Sequence, residues 1–403
     1  MNEHAIPAPV ETKFWTPGVI VMVAVMLTGL PFVITRYVGG LAAVTNLDNQ
    51  HPWGIWIGID VATGVALAAG GFTTAAIAHI FGRHRYEVVT RPALLTAMLG
   101  YTVVSLGLAV DVGRSWALWH PIIYWQPDSV LFEVAMCVVI YLHVLYIEFI
   151  PIVVERFKGN VSLPGSLWIF NRMIEGLMGL ADRLLAKIMW IFIIAGVVLS
   201  CMHQSGLGSL MLIAPTKLHP LWYTPLLPLL FLMSAIAVGY PMVVFETTLA
   251  TGSLKLNGEM HVLTPLTRVT IFLLGLYIGL KLGDMVYRKT YVYLLDATVQ
   301  SNAFIVEMVA GVIIPWLMLL IPRIRRSRRA LFIACTLIVG GIVLNRVNVF
   351  LVGFQPPYAE KAYFPAVGEI AVTAALVAGL IFVYRICITY LPVLSPQHQE
   401  VST

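Results

Sequence analysis

The stretch GIWIGIDVATGVALAAGGF, Gly54 to Phe72, decides the fold class of this chain. It is apolar apart from Asp60 and Thr63, and a membrane helix needs roughly 20 mostly apolar residues. Its many glycines and alanines bring no advantage to a helix that faces lipid, but they let a helix pack closely against others. The stretch therefore predicts a transmembrane helix at the centre of a bundle.

The composition of the whole chain extends this prediction. Of its 403 residues 59% are hydrophobic and only 11% are charged, whereas a soluble domain usually carries about 25% charged residues. We therefore predict an all-α integral membrane protein with about ten transmembrane helices and no separate soluble domain. The apolar stretches lie near residues 15–35, 55–81, 93–112, 130–154, 184–202, 221–250, 265–285, 303–321, 330–352 and 366–391.

The basic residues predict the orientation of these spans. Although the pI is near 9.0, the basic residues lie in short loops between spans, which argues against a nucleic-acid partner. They are concentrated in alternate loops, after the second, fourth and eighth spans, and the last of these is the run RIRRSRR, Arg323 to Arg329. By the positive-inside rule these loops and both termini face the cytoplasm.

Ionisable residues inside the spans are the candidate functional residues, because a charge at the bilayer centre costs about 2.5 to 3.5 kcal/mol. Alternating the spans places one group within about 10 Å of the outer surface. Three other residues, Glu148, Glu246 and Arg346, lie deeper. The outer group comprises Asp60, Asp111, Glu133, His203, Asp284 and Glu369.

Two local interpretations follow from spacing. Asp111 and Arg114 are three positions apart, which predicts an ion pair on one helical face. In SCMHQSGLGSL, Ser200 to Leu210, His203 follows a long apolar run, and two glycines follow the histidine. We expect the fifth helix to end here, with a tight turn after it. The preceding connection predicts an interfacial helix near residues 172–185, or a docking surface for a partner.

No metal or redox cofactor is expected from the ligand types. The four cysteines are scattered singly, without the paired spacing of a zinc or iron–sulfur site. A haem would need two histidines at similar depth, but His79, His143 and His203 fall at different depths. The motifs of phosphate loops, dinucleotide-binding folds and zinc proteases are also absent from the sequence.

Several motifs in order along the chain resemble a known family. PWGIWIGIDVATG, RPALLTAMLGY, DVGRSW, SVLFEVAMC, EFIPIVVER, MHQSGLGSLM, HPLW and AYFP are similar to the NrfD/PsrC family of quinone-interacting membrane subunits, and most of all to its HybB-type branch. Members of that branch serve periplasm-facing [NiFe] hydrogenases in the bacterial cytoplasmic membrane. The resemblance implies two four-helix bundles, residues 55–202 and 221–352, with flanking helices at 15–35 and 366–391.

The resemblance also implies a function. Such subunits carry no haem or iron–sulfur cluster and pass electrons between a quinone, near the outer surface of the first bundle, and a periplasmic ferredoxin-like iron–sulfur subunit. NRVN, Asn345 to Asn348, resembles branches in larger redox complexes, so the partner could also be another dehydrogenase or reductase. From other classes, a haem b cytochrome and a secondary transporter with a midplane binding site remain alternatives.

We therefore hypothesise a menaquinone or ubiquinone site in the first bundle. His203 is the expected proton donor, because a free imidazole exchanges protons near neutral pH, with Asp60 or Asp111 as the second proton carrier. If protons cross from the cytoplasm, turnover also translocates charge. The expected quinone-binding residues are Trp53, Trp56, Asp60, Tyr101, Asp111, Arg114, His203 and Gln204, and the expected proton path comprises Glu133, Glu148, Glu246, Arg346 and Glu369.

Overall fold

The structure, a computed structural model, describes residues 7–10, 12–254, 256, 260–357, 359 and 361–395. In these ranges the chain forms helices joined by short connections, and the only β-type pairings are two isolated bridges. In the described part of the chain, ten helices are long and apolar enough to cross a membrane, which confirms the predicted fold class. They are α1 (Pro17–Gly39), α2 (Trp56–Ile80), α3 (His84–Asp111), α4 (Val130–Phe157), α5 (Leu167–Leu212), α6 (Leu227–Ser253), α7 (Met260–Tyr287), α8 (Val299–Leu320), α9 (Arg328–Val352) and α10 (Val367–Tyr390).

Helix α2 lies at the centre, as its small residues predict. It is the most buried of the ten, and it packs against α3, α6 and α9. A methyl group at Gly71 would come within 2.5 Å of the Ala97 side chain on α3, and one at Gly70 within 3.2 Å of the Gly239 carbonyl on α6. Close approach of these backbones therefore requires glycine at both positions.

The outer helices α1 and α10 pack mainly against each other, and α10 also contacts α3. Both leave most of their surface exposed, as expected for helices that face lipid. The helices of residues 55–212 pack on one another, but α2 and α5 also pack against α6. The division into two four-helix bundles stays a prediction.

Wide turns of π-helix occur in α2, α8 and α9. Residues Trp56–Thr63 at the start of α2 and Asn348–Val352 at the end of α9 both have this geometry. Single π-helical turns inside α-helices are rare and are often found at functional sites. The segment at the start of α2 includes Asp60, and the one at the end of α9 begins two residues after Arg346.

Helix α5 differs most from the prediction. Its α-helical part runs without interruption from Asn171 to Leu212, 42 residues, so the predicted end near residue 202 is wrong. Gly206 and Gly208 form no turn, because they lie inside the helix where it packs against Val134 and Pro228. His203 is consequently not at a helix end.

The predicted interfacial helix near residues 172–185 is also wrong, since this segment is the first part of α5. Asp182 pairs with Lys158, just beyond the end of α4, at 2.7 Å. Residues 171–181 therefore extend about 16 Å past the end of α4. Part of the polar side of this extension is covered by the preceding connection, where Glu175 accepts a hydrogen bond from the Gly159 backbone.

Candidate functional site

Three carboxyl groups from different helices meet at one end of the molecule. Asp60 is buried near the start of α2, Asp111 ends α3, and Glu369 is fully buried in the first turn of α10. Asp111 lies close enough to both other carboxyl groups to interact with them electrostatically. Asp60 Oδ2 accepts a hydrogen bond of 2.8 Å from the Thr373 hydroxyl on α10. The depth count from sequence predicted all three residues at this surface.

Glu369 is held by three donors. Its Oε2 accepts hydrogen bonds from the backbone N–H groups of Asn46 and Ala366, at 3.1 and 2.8 Å, and its Oε1 accepts one from the Tyr363 hydroxyl at 2.5 Å. Burial, together with the adjacent Glu369, raises the pKa of Tyr363 far above its usual value. Tyr363 therefore stays a neutral donor, and Glu369 joins the outer loops to α10.

The cation of this cluster is Arg36 on α1, which sequence reasoning missed. Arg36 is buried and donates hydrogen bonds of 2.5 Å to the carbonyls of Val110 and Val112 at the end of α3. Its charge also acts on Asp111. The available signal was a single arginine at the outer end of an otherwise apolar first span.

The predicted ion pair between Asp111 and Arg114 is wrong. Helix α3 ends at Asp111, and Val112 takes an extended conformation with φ −66° and ψ 124°. The helical spacing on which the prediction rested therefore does not continue to Arg114, whose side chain is exposed.

A pocket of about 390 Å³ opens beside the carboxyl cluster. Trp53 and Asp111 both line it. The Trp53 ring packs against the rings of Phe350 and Phe354, with ring centroids 6.0 and 5.5 Å apart. Asp48 lies at the rim, where the backbone N–H of His51 lowers the pKa of the Asp48 carboxyl. The pocket thus combines apolar walls with two acids. Its lining includes Leu41, Leu47, Asp48, Pro52, Trp53 and Asp111.

Trp56, expected at a quinone, lies behind this pocket. It is fully buried, and its indole N–H donates to the Glu369 carbonyl at 3.1 Å. Arg114, with the same expected role, is on the exposed loop after α3. The quinone contacts of both residues stay predictions.

Tyr101, His203 and Gln204 form a second, deeper group. The Tyr101 hydroxyl lies 3.0 Å from His203 Nδ1, and the Gln204 amide donates to the Val65 carbonyl at 2.8 Å. All three side chains are fully buried, and His203 Nε2 has no hydrogen-bond partner among the described residues. Tyr101 lies ten positions before Asp111, about 15 Å along the helix. Residues predicted for one site thus occupy two levels.

A third buried polar group lies between α6, α8 and α9. Glu307 is fully buried and accepts hydrogen bonds from the Trp222 indole and the Asn345 and Asn348 amides, at 2.9, 2.7 and 2.8 Å. Asn345 Oδ1 in turn accepts a bond of 2.6 Å from Arg346. The two asparagines of NRVN therefore hold Glu307, a residue that sequence reasoning did not select. Its signal was an acid within an apolar span.

Arg346 completes this third group. Its guanidinium donates to the Ser234 hydroxyl at 2.9 Å and the Phe231 carbonyl at 3.2 Å, and it stacks on the Phe231 ring. Lys281 on α7 is buried nearby and donates to the Leu221 carbonyl at 3.2 Å. Lys281 was likewise missed. Arg346 lies six positions before the end of α9, on the pocket side of the midpoint of that helix.

The five predicted proton-path residues do not form one chain of contacts. Glu133 is exposed in the first turn of α4, and Glu369 belongs to the carboxyl cluster. Glu148 lies against Gly196 in the opposite half of the molecule. Glu246, in that same half, faces the hydroxyls of Thr96 and Tyr384. The path itself stays a prediction.

The three histidines considered as haem ligands differ in their exposure. His79 and His143 are exposed, and His143 Nδ1 contacts the Val139 carbonyl, whereas His203 is fully buried. In the described part of the chain, no three potential metal-ligating side chains of His, Cys, Asp or Glu come together. The expectation that the protein carries no haem or iron–sulfur cluster stays a prediction.

Asp284, the remaining acid of the predicted outer group, belongs to neither site. It pairs with Arg288 one turn later at 2.8 Å and accepts a hydrogen bond of 3.0 Å from Thr224. These contacts account for its charge near the end of α7.

Comparison with known proteins gives several full-length relatives. A protein of Nitratidesulfovibrio vulgaris (strain Hildenborough) is 39% identical over 96% of this chain and 97% of its own length. The probable Ni/Fe-hydrogenase 2 b-type cytochrome subunit of Escherichia coli K12 is 33% identical, over 98% of this chain and 96% of that subunit. The integral membrane subunit of a menaquinone reductase from N. vulgaris is 24% identical, over 89% and 87%.

The family model described as polysulphide reductase, NrfD, matches residues 43–356. This range includes most of the pocket lining, two of the three carboxyl groups and both deeper polar groups. The matched range covers most of the chain, and the E. coli relative covers nearly all of it. The chain therefore belongs to the NrfD family of membrane proteins.

Proposed function

We propose that this chain is the quinone-reactive membrane subunit of a respiratory oxidoreductase, and that the pocket beside Trp53 and Asp111 holds the quinone ring. The observation that carries the proposal is an open pocket lined by both apolar side chains, among them Trp53, and polar ones, among them Asp111, with two further buried carboxyl groups beside Asp111. A quinone is a flat ring with two carbonyls, which suits apolar walls and few polar groups. The names of two relatives, a menaquinone reductase subunit and a hydrogenase cytochrome subunit, support this function.

In this proposal the carboxyl groups supply the protons that quinone reduction consumes. Conversion of a quinone to a quinol takes two electrons and two protons. The electrons come from a partner's redox centre, whereas the protons must come from groups at the pocket. Asp60, Asp111 and Glu369 beside Arg36 would together carry a net charge of −2 if all were ionised, so the cluster can take up protons at small electrostatic cost. Asp111 lines the pocket and is the expected direct donor.

The test of this function is quinone content and turnover. We expect quinone to be extracted from the purified native complex, and we expect that complex to reduce added quinone in the presence of its electron donor. A secondary transporter would do neither and would instead move a solute across sealed vesicles. Absence of both quinone and quinone reduction would contradict the proposal.

We propose that Tyr101 and His203, which lie deeper in the spans than the carboxyl cluster, carry protons toward that cluster. Tyr101→Phe keeps the ring and its packing but removes the hydroxyl that contacts His203. We expect quinone turnover to fall at least about tenfold, because a positioned acid–base group contributes about 10²- to 10⁴-fold. Steady-state assays of the purified complex check this, with Tyr287→Phe, an exposed tyrosine at the end of α7, as the control. Unchanged turnover would give the pair a purely structural role.

If the protons are taken up from the side of the membrane opposite the pocket, turnover moves charge across the membrane. Glu246 is the residue to test for this path. Glu246 Oε1 is buried and has no hydrogen-bond partner in the described chain. We expect Glu246→Gln to reduce the membrane potential formed per quinone reduced in proteoliposomes, because the amide cannot transfer the proton. Glu155→Gln, a half-exposed acid at the same end, is the control. An unchanged potential at unchanged turnover would remove Glu246 from the path.

We propose a periplasmic ferredoxin-like iron–sulfur subunit as the direct electron partner, with the large and small subunits of a [NiFe] hydrogenase behind it. The name of the E. coli relative supports a hydrogenase, but one subunit of a selenate reductase is also related, at 23% identity. A different dehydrogenase or reductase is therefore the second candidate. The pocket end would face the periplasm and both termini the cytoplasm, because the clustered basic loops lie at the other end.

A further inference from the structure

Five arginines lie at the junction of α8 and α9, three of them between the helices and two in the first turn of α9. Residues Pro322–Arg326 form a short helix, and Ser327 then caps α9. No ion pair joins any arginine of the run Arg323–Arg329 to an acid in the described part of the chain. A charge of +5 thus sits on seven consecutive residues, and a bound anion would reduce the repulsion among these like charges.

The run is anchored to neighbouring helices. Arg328 donates to the Thr251 hydroxyl at 2.7 Å and to the Thr248 carbonyl at 3.4 Å, both near the end of α6. The Thr264 hydroxyl on α7 donates to the Arg325 carbonyl at 3.1 Å. Arg325 Nε is buried and has no hydrogen-bond partner among the described residues. The guanidinium groups therefore project from a fixed backbone.

Local electrostatics also favour an anion. Arg328 and Arg329 occupy the first turn of α9, and this turn contains no acidic residue. The N-terminus of a helix is its positive end, so arginines there are unfavourable by themselves and favourable when a negative group lies between them. Guanidinium is the side chain that best matches the geometry of phosphate, since it can donate two parallel hydrogen bonds.

Apolar side chains flank the arginines toward the spans. Leu320 and Ile321 precede the run, Ile333 follows it, and all three are exposed. A free anion would gain nothing from these residues, whereas acyl chains would cover them. Orientation by the positive-inside rule needs only an excess of basic residues. It does not account for arginines that are clustered, anchored and bordered by exposed apolar groups.

We propose that the Arg323–Arg329 run binds the phosphate of an anionic phospholipid, whose acyl chains lie against Leu320, Ile321 and Ile333. The site is at the opposite end of the spans from the pocket and does not depend on the function of that pocket. It holds a lipid where α6, α7, α8 and α9 end together.

The test compares two triple variants of the purified native complex in detergent. The cluster variant is Arg325→Gln, Arg326→Gln and Arg329→Gln. The matched control is Arg83→Gln, Arg156→Gln and Arg172→Gln, three exposed arginines at the same end, one in the loop after α2, one in the last turn of α4 and one near the start of α5. The thermal unfolding midpoint is measured during titration with phosphatidylglycerol, with phosphatidylcholine and with inorganic phosphate.

We expect phosphatidylglycerol to raise the midpoint of the wild type and the control. The cluster variant should need about a hundredfold more of this lipid, since each basic residue contributes about 1 kcal/mol near an anionic headgroup. An equal response of the cluster variant would overturn the proposal, and so would an equal effect of phosphatidylcholine or of phosphate alone.

If the glutamine variant fails to fold, the same titration is made with a variant in which Arg325, Arg326 and Arg329 are replaced by lysine. Lysine keeps the charge but loses the paired donors of guanidinium. We therefore expect this variant to require more phosphatidylglycerol than the wild type, and an identical requirement would refute a phosphate site built from arginines.

Discussion

Replacing Asp111 with asparagine is expected to lower quinone turnover at least about 100-fold, the largest effect predicted for a single side chain of the pocket. Asparagine has nearly the same shape but cannot deliver a proton. Asp111 is the member of the carboxyl cluster that lines the pocket, whereas Asp60 and Glu369 stand behind it. The loss should appear in kcat more than in KM, because the pocket wall formed by Trp53 is unchanged. Steady-state assays of the native complex with a water-soluble quinone measure both.

The control for Asp111→Asn is Asp128→Asn. Asp128 lies in the exposed loop before α4, at the same end of the molecule, and the substitution is chemically identical. Turnover should change less than about twofold, as for surface positions away from a site. Wild-type turnover in Asp111→Asn, or an equal loss in both variants, would contradict the assignment of Asp111 as the donor at the pocket.

Replacing Arg346 with methionine is expected to lower the free energy of unfolding by about 3 to 5 kcal/mol, because it removes one partner of a buried charged network. Glu307 would keep its three neutral donors. It would lose the nearby positive charge of Arg346, which Asn345 connects to it by hydrogen bonds. The Ser234 hydroxyl and the Phe231 carbonyl would each lose a donor. Unfolding of the protein by SDS in mixed micelles measures the loss.

Two comparisons identify the cause of that loss. Arg268→Met makes the same change at an exposed position of α7 and should cost less than about 0.5 kcal/mol. The double variant with Glu307→Gln should be less destabilised than the sum of the single variants, since neither then leaves an unpaired charge. Strict additivity would show that Arg346 and Glu307 do not stabilise each other.

The sequence predicted the spans well because each depends on a property of its own residues. A run of roughly 20 apolar residues is long enough to cross the membrane as a helix. The rise per residue then gives the depth of Asp60, Asp111 and Glu369 from the ends of their spans. The crowded glycines of α2 likewise predicted its central position. Each of these inferences needs only distances along one helix.

The errors concern where helices end. Asp111 and Arg114 were paired on the assumption that α3 continues, but the helix ends at Asp111, where Arg36 of α1 binds the carbonyls of Val110 and Val112. The glycines after His203 suggested a turn, but in α5 they allow close contact with Val134 and Pro228. In both cases the segment contacts a neighbouring helix, and the local sequence does not show such a contact.

By itself the sequence determined the class of protein, the number of spans and the surface near which most of the outer acids lie. Only the tertiary structure decided which of those residues meet. It placed Arg36 and Glu369 beside Asp111, moved Tyr101 and His203 to a deeper level, and joined Glu307 to Arg346 through Asn345. Depth follows from the position of a residue in its own helix, but contact depends on the rotation and packing of two helices. These are set by side chains distributed over the whole chain.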